Sequence, residues 1–401
     1  MKKKSLNPIL LLILLLFILY TFFYLVKRFN KTKEPFLFEK FENNNNTFSY
    51  YRCKDKLLGK ITKNIFDNNG ILQSNDNWNI YLPCGYNNVE EELRKILIKD
   101  DISNKFIFGV NGCDTIVSKN KIWESLFKCF GREHASTLMP ESYILSDYNE
   151  MEVFRKKFNP NSTEIYILKK NVQRKEGLKL TRDYFEIINA HKEEYRVVQK
   201  YMRDLYLVNQ RKINLRIYLL ILIKDNKINF YLCKKGKCIY TNKKYNDDDL
   251  DFESNITSYN LDMSVYKTNP RHFNELRSYI DENNIDKSRS RSKNGEYLFN
   301  KIELLMREVS LCLYKNIYQS KNIEGSITFQ LFGADVIFTK DLHPYLLEMN
   351  KGPDMSARDE IDEIMKNEVQ TDMFKTVGIL PNNDTNSFYL LYNNEMSRKN
   401  I

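Results

Sequence analysis

Two apolar strands near the C-terminal end of the chain carry polar side chains that constrain what the chain can fold into. The stretch "LFGADVIFTKDLHPYLLEMN" predicts a hairpin whose turn falls near residues 340–341. Asp335 lies on the first strand. Glu348 and Asn350 lie two apart on the second strand and therefore share one face. Pairing across the turn brings Asp335 close to that face. Because burying carboxylates among apolar neighbours is costly, these side chains are expected to bind a partner.

The chemistry of these three side chains indicates the partner. Oxygen ligands without His or Cys suit a hard cation, Mg²⁺ above all, with water and phosphate completing the coordination. The chain has only four His, so a His-rich zinc site is not expected. The alternative is that Glu348 faces solvent on an edge strand and that Asp335 caps a turn. Because both occur with Asn350 in apolar sequence, we favour a site for magnesium and a nucleotide.

A second group of residues favours a nucleotide. Lys169 ends the apolar strand "IYILKK", where its ammonium group could contact a phosphate as a point charge. The stretch "VVQKYM" becomes polar at its end, and its backbone groups together with Gln199 could bind adenine. Lys200, Tyr201 and Met202 complete that end. An ordinary strand end is the alternative for each of these residues.

A third group lies on one predicted strand. In "RKINLRIY" the residues Lys212, Asn214 and Arg216 occupy alternate positions and therefore share a face. An inward cationic face needs an anion, and a triphosphate or an acyl phosphate fits that need. A solvated outer face is the alternative. The apolar residues that follow, Leu219 to Ile223, indicate burial on both sides.

The order of these motifs, from roughly Lys119 to Gly378, resembles the tubulin–tyrosine ligase-like family of ATP-grasp enzymes. The resemblance implies an ATP-grasp fold that uses ATP and Mg²⁺. It also implies ligation of an amino acid (Tyr, Glu or Gly) to a protein or peptide such as tubulin, through an acyl phosphate. It assigns Arg216 to the reacting centre, where the guanidinium would steady the tetrahedral adduct. The implied ATP-binding residues are Lys119, Lys169, Gln199, Lys200, Tyr201, Met202, Lys212 and Asn214, and the implied metal ligands are Asp335, Glu348 and Asn350.

Three departures from the family pattern define a rival hypothesis. Asn214 stands where the family has Asp, and the glycine-rich phosphate loop is thin. The Arg after the middle hairpin is not evident, and Lys237, Tyr240 or Lys243 could substitute for it. The rival is a catalytically degenerate, membrane-anchored ATP-grasp scaffold that binds nucleotide, acidic tails or RNA.

The N-terminal segment predicts a membrane anchor. The run from Pro8 to Val26 is apolar and uncharged, and its length matches a hydrocarbon core. A cleaved signal peptide is the alternative, but no small-residue cleavage site follows the run. The slight excess of basic residues after the run predicts a single-pass protein whose large domain faces the cytosol.

The rest of the chain predicts an α+β fold with an antiparallel core sheet, because strands and helices alternate without strict βαβ spacing. Residues 1–28 form the predicted anchor and 29–48 a linker. Residues 49–143 form an N-terminal α/β subdomain, 144–205 a central ATP-grasp subdomain, and 206–395 a C-terminal one. The stretch from 213 to 240 predicts three strands, with the second turn at "KKGK".

Charge and cysteine content bound the partners and the compartment. The formal net charge of +10 favours an acidic partner. Lys and Arg outnumber Asp and Glu between residues 155 and 216, which fits an acidic peptide acceptor besides a free amino acid; nucleic acid is the less favoured partner. The seven Cys include no CxxC, which predicts mostly reduced thiols in a cytosol-like compartment. A disulfide between Cys233 and Cys238 is the less favoured alternative.

Overall fold

The computed structural model of the chain describes most of residues 48–395. The described ranges are 48–53, 56–97, 102–172, 177–225, 227–246, 248–257, 260–283, 293–317 and 325–395. The predicted anchor, Pro8 to Val26, and nearly all of the predicted linker lie outside them. Within these ranges, no helix is long and apolar enough to cross a membrane.

The described strands and helices alternate along the chain. The strands are β1 (Ser49–Tyr51), β2 (Leu72–Gln73), β3 (Ile80–Tyr81), β4 (Phe106–Phe108), β5 (Ser142–Ile144), β6 (Tyr166–Lys169), β7 (Leu178–Thr181), β8 (Val197–Lys200), β9 (Leu207–Val208), β10 (Arg211–Lys224), β11 (Lys227–Tyr240), β12 (Ile327–Phe338), β13 (Pro344–Asn350) and β14 (Phe388–Asn393). The helices are α1 (Lys60–Asn68), α2 (Val89–Leu97), α3 (Cys113–Val117), α4 (Lys119–Leu138), α5 (Tyr148–Lys157), α6 (Tyr184–Asn189), α7 (Phe252–Asn255), α8 (Phe273–Asn283), α9 (Asn294–Leu313) and α10 (Glu360–Val377).

The larger sheet is mixed, which corrects the expectation of a purely antiparallel core. Its order is β14-β11-β10-β12-β4-β3-β1-β2, and β13 also pairs with β12. The strands from β14 to β12, and β13, pair antiparallel, whereas β4, β3, β1 and β2 pair parallel. One edge of β12 is divided: β4 pairs with its start, Ile327–Phe329, and β13 pairs with Gly333–Phe338. The N-terminal strands therefore extend the sheet that carries the C-terminal hairpin.

A second, smaller sheet is antiparallel throughout. Its order is β5-β8-β6-β7. Helices α5 and α6 pack their apolar side chains against it, and Phe154 and Ile187 are fully buried in that cluster. This sheet supplies Lys169 and the "VVQKYM" segment to the region described below.

The long strand β10 explains where the two main cores lie. Its odd-numbered side chains, such as Ile217 and Ile221, face a core that is shared with α4, α8 and α9. On the even-numbered face, Tyr218, Leu220 and Leu222 lie in a second core that is covered by α1 and α10. Burying one such Leu side chain contributes roughly 1.5–3 kcal/mol.

The expected turn at "KKGK" is wrong, because β11 runs unbroken through it. The register between β10 and β11 shifts between the pairs Ile217–Gly236 and Leu219–Leu232, which places a bulge at this position. A Cβ on Gly236 would lie 2.1 Å from the Phe273 ring. The glycine therefore admits a core aromatic side chain and does not mark a turn.

The cysteine prediction is also wrong for four of the seven residues. Cys53 bonds to Cys84, and Cys129 on α4 bonds to Cys312 on α9. Cys113, Cys233 and Cys238 are free and buried, so the less favoured Cys233–Cys238 disulfide is absent. Partners that are 31 and 183 residues apart leave no short motif in the sequence.

Candidate active site

A row of charged side chains crosses three strands of the larger sheet. Arg216 on β10 pairs in register with Asp335 on β12, and Asp335 pairs with Glu348 on β13. Directly opposed residues point to the same face of a sheet, so the three side chains are neighbours. Asn350 lies opposite Gly333, two positions further along the same face. The structure therefore brings together the four residues that the sequence placed on these strands.

Arg216 and Asp335 form a two-point ion pair. Arg216 Nε donates to Asp335 Oδ1 at 2.7 Å, and a terminal nitrogen of the same guanidinium donates to Oδ2 at 3.2 Å. Burial, together with the nearby charge of Glu348, raises the pKa of the Asp335 carboxyl although Arg216 opposes that shift. Two carboxylates that face each other in this way favour a bound cation.

Two lysines reach this row from other elements. Lys119, the first residue of α4, places Nζ 3.5 Å from Glu348 Oε2. Lys169, the last residue of β6, donates from Nζ to the Leu347 carbonyl at 3.3 Å. The register between β12 and β13 shifts beside Leu347, and such a bulge leaves a backbone group unpaired in the ladder. The strand irregularity therefore provides the acceptor for Lys169.

The two lysines also set the ionisation of the site. Burial raises the pKa of Glu348, but Lys119 and Lys169 outweigh it and hold the pKa below its ordinary value. Burial lowers the pKa of Lys169 to about 8, with Lys119 contributing in the same direction. Glu348 is therefore an anion in the cluster, as a metal ligand requires.

Further along the same face of β10, Lys212 is a buried cation. Its Nζ donates to the Asn255 carbonyl at 2.9 Å and to the Tyr201 hydroxyl at 3.2 Å. Burial, with Lys169 adding to it, lowers the pKa of Lys212 to about 7. A buried ammonium group that has only neutral hydrogen-bond acceptors suits an anionic ligand.

Asn214 lies between Lys212 and Arg216 and is incompletely satisfied. Its Nδ2 donates to Thr257 Oγ1 at 3.0 Å. Its buried Oδ1 has no hydrogen-bond partner in the part of the chain that the structure describes. Such an unpaired acceptor carries a cost in free energy unless a ligand or water supplies a donor.

The segment after β8 contributes unevenly. Tyr201 contacts Lys212, as described, whereas Gln199 uses its amide nitrogen within the smaller sheet, donating to Ser142 Oγ at 2.8 Å. Lys200 is 46% exposed and pairs with Glu164, away from the row. Met202 is partly exposed. Of these four predicted residues, the described contacts connect Tyr201 to the charged face.

A second charged cluster adjoins the row and was mostly missed by sequence reasoning. Lys237 on β11 lies opposite Arg216 and so continues the row; among these residues, only Lys237 had been considered, as a substitute for the family Arg. Its Nζ contacts Asp362 at 2.9 Å, and Lys366 contacts the same carboxyl at 3.1 Å. Asp362 is fully buried, and the two lysines hold its pKa below the ordinary value against the effect of burial. The four-residue spacing of Asp362 and Lys366 on a predicted helix was the available signal.

Arg271 and Asp359 complete this second cluster. Arg271 contacts Asp359 at 2.5 Å. Its Nε is buried and accepts no partner among the described residues. Beside Arg216 the structure thus collects several cations that are not all neutralised.

The residues of the hairpin fit a magnesium ion by their chemistry. Asp335, Glu348 and Asn350 present carboxylate and amide oxygens on one face, and a dication would relieve the repulsion that raises the pKa of Asp335. Both oxygens of Asp335 are held by Arg216, so metal binding would draw this carboxylate away from the guanidinium.

Comparison with known proteins agrees with this arrangement. The model of the tubulin-tyrosine ligase family matches residues 104–387, more than half of the chain. A probable tubulin polyglutamylase of Caenorhabditis elegans is 26% identical over 260 residues, covering 60% of this chain and 58% of that protein. A probable beta-tubulin polyglutamylase of Tetrahymena thermophila is 24% identical over 254 residues, covering 59% of this chain and 21% of that protein. Tubulin glycylase 3F of the same organism is 26% identical over 225 residues, covering 52% and 23%. The chain spans less than two thirds of the length of each of these relatives.

Proposed function

The chain belongs to the tubulin-tyrosine ligase family, and we propose that it is an ATP-dependent ligase with an ATP-grasp fold. It would join the amine of an amino acid to a carboxylate of an acceptor protein through an acyl phosphate. The polyglutamylases and the glycylase among its relatives support Glu or Gly as the amino acid, and tubulin or another acidic protein as the acceptor. Tyr remains the third candidate amino acid from the family resemblance.

One observation carries this proposal: the row formed by Arg216, Asp335 and Glu348, with Lys119 and Lys169 beside it. Ligation through a phosphorylated carboxylate needs oxygen ligands for a metal, cations for phosphate and a donor for the developing oxyanion. All three kinds of group converge here from four separate parts of the chain. A structural ion-pair network would not require the buried, unneutralised Lys212 on the same face.

Each residue has a proposed role within that reaction. Asp335, Glu348 and Asn350 would hold Mg²⁺, which screens phosphate charge when bound. Lys119, Lys169 and Lys212 would bind the phosphates of ATP, and the Gln199–Met202 segment and Asn214 would border the nucleotide. Arg216 would present its planar donor fork to the oxygen on which charge develops.

A scaffold without catalysis is the second candidate, and Asn214 is the observation that favours it. Its unpaired Oδ1 sits where the family pattern has a carboxylate, beside the unneutralised Lys212. If the missing carboxylate had abolished catalysis, wild type would bind ATP without turnover, and Asn214→Asp would restore turnover. For a working ligase, Asn214→Asp changes an existing rate by a few-fold. Measuring ATP binding and ADP release for both proteins separates the two candidates.

The direct test is incorporation of an amino acid. Full-length protein, ATP and Mg²⁺ would be incubated with tubulin or Glu-rich peptides and with Glu, Gly or Tyr in turn. Mass spectrometry should show the mass of one or more added residues with one of the three. Glu348→Gln should abolish incorporation without unfolding the protein, whereas the exposed control Glu91→Gln should retain it. Equal incorporation by wild type and Glu348→Gln would refute the proposed site.

The anchor at Pro8 to Val26 and its cytosolic orientation also remain proposals. A ligase needs the compartment that supplies ATP, which favours the cytosolic side. The two disulfides oppose this placement because disulfides persist mainly in oxidising compartments. Alkylation of free thiols in intact cells decides between them: seven alkylated Cys indicate the cytosol, and three indicate an oxidising lumen.

A further inference from the structure

A pocket lies beyond the charged row, on the same face of the larger sheet. It encloses about 470 Å³ of space, part of which is open to solvent. That volume falls within the range of ligand pockets, about 300–1,000 Å³. Most of its lining is apolar, including Leu331 on β12, Met355 in the loop after β13, and Met373 on α10. The pocket is thus built from the N-terminal segment, the metal-binding hairpin and the closing helix.

The pocket contains one cation, Arg52. Its Nε is buried and has no hydrogen-bond acceptor in the ranges that the structure describes. A buried guanidinium N–H without an acceptor is unfavourable, so this nitrogen suits an anionic oxygen from a ligand. Tyr86 also lines the pocket, and this residue is 42% exposed, which leaves one side accessible.

A disulfide fixes two walls of the pocket. Arg52 precedes Cys53 and Pro83 precedes Cys84, and these two cysteines are bonded. Arg52 and Pro83 both line the pocket. The cation and the facing wall are therefore held at a set distance, which is a property of a formed site and not of a surface depression.

The pocket lies a short distance from the charged row. Leu331, Gly333 and Asp335 alternate along β12 and share a face. Because a strand rises about 3.3 Å per residue, Leu331 and Asp335 lie roughly 13 Å apart. A Cβ on Gly333 would lie 3.0 Å from both Arg216 Cδ and Pro353 Cβ. Pro353 lines the pocket, so the pocket and the charged row share this wall.

We propose that this pocket binds a large apolar side chain of the acceptor protein, with a neighbouring acceptor carboxylate on Arg52. This inference rests on the proposed ligase function. An extended peptide also advances about 3.3 Å per residue, so the apolar residue lies about four residues from the carboxylate that is modified. The pocket's one cation and apolar walls select an acidic segment with a single apolar anchor over a purely acidic tail.

The test compares two fluorescent peptides that bind to full-length protein. One is a twelve-residue Glu-rich peptide; the other carries one Phe in place of one Glu. Fluorescence anisotropy should show about tenfold tighter binding of the Phe peptide, as expected for burying one aromatic side chain. Met355→Trp, which fills the pocket, should remove this preference, and Arg52→Ala should weaken binding of the Phe peptide. Arg94→Ala, an exposed control on α2, should change neither.

The outcomes distinguish this inference from the ligase function. Equal affinity of wild type for the two peptides, or a Phe preference that survives both pocket variants, overturns the pocket assignment. Amino-acid incorporation without any Phe preference leaves the ligase function standing and refutes the pocket. A Phe preference that Met355→Trp abolishes, in a protein that incorporates nothing, refutes the ligase function and retains the pocket. Should Met355→Trp not fold, Arg52→Ala decides by the same criterion, with melting temperature confirming that it is folded.

Discussion

The two halves of one face of β10 differ in a way that separates function from stability. Lys212, Asn214 and Arg216 occupy one half of the even-numbered face, and Tyr218, Leu220 and Leu222 occupy the other. Helices α1 and α10 cover the apolar half, whereas Lys169 and Tyr201 from the smaller sheet face the polar half. All six residues lie on one strand and point in one direction. The covering elements, and not the backbone, decide which half becomes core and which becomes site.

The comparison teaches that the polar half is maintained against its own stability. A buried ion pair such as Arg216–Asp335 gains little over a well-packed apolar pair, because both charges lose their hydration. Lys212 has no anionic partner among its described contacts, and burial lowers its pKa. The apolar half has no such cost. Substitutions in the two halves should therefore have opposite signatures.

The largest expected effect is on turnover, from Arg216→Lys. This change keeps the charge but removes the planar fork, so turnover should fall by about 100-fold or more while ATP affinity changes little. Arg211→Lys on the same strand is the matched control, since Arg211 donates to the Thr241 carbonyl outside the row. Steady-state rates and ATP Kd for both variants provide the measurement. If ATP affinity falls as much as turnover, Arg216 is a nucleotide-binding residue and has no special part in the acyl transfer.

The next effect is on stability, from the apolar half. Leu220→Ala should lower the free energy of unfolding by about 2–5 kcal/mol, because it opens a cavity in a fully buried position. Turnover per folded molecule should stay near that of wild type at a temperature where both are folded. Denaturant titration and rate measurements on the same samples check both parts. A large loss of specific activity with unchanged stability would contradict the division of the face.

The smallest effect is an increase in stability, from Lys212→Met. The pKa of Lys212 is lowered to about 7 by burial, so between pH 7 and its ordinary value of 10.5 the unfolded state binds the extra proton. Wild type therefore loses stability through Lys212 at pH 7 and regains it as the pH rises toward 10.5. Lys212→Met should melt above wild type at pH 7, with a difference that shrinks with rising pH, and should bind ATP more weakly. A variant that melts lower at pH 7 would show that the hydrogen bonds of Lys212 outweigh its burial.

Much of the site followed from the sequence because it lies on strands. The two-residue alternation places Lys212 with Arg216, and a short turn forces Asp335 against Glu348. These are local rules of strand geometry. The family match and the mixed architecture agree with the fold that those motifs implied.

The parts that sequence reasoning missed depend on contacts between distant segments. The parallel pairing of β4 with β12 and the Cys129–Cys312 disulfide each join residues that are well over a hundred positions apart. The bulge at Gly236 depends on the Phe273 ring, which belongs to another element. No periodicity within a single segment can indicate such contacts.

The central claim is that the row of Arg216, Asp335 and Glu348 serves ligation through a phosphorylated acceptor carboxylate. Acceptor peptides that carry ¹⁸O in their carboxylates test this claim directly. The oxygen that joins carboxylate and phosphate leaves with the phosphate when the amine attacks, so the released inorganic phosphate should contain one ¹⁸O atom per amino acid added. Phosphate without ¹⁸O, released in step with amide formation, would contradict the account.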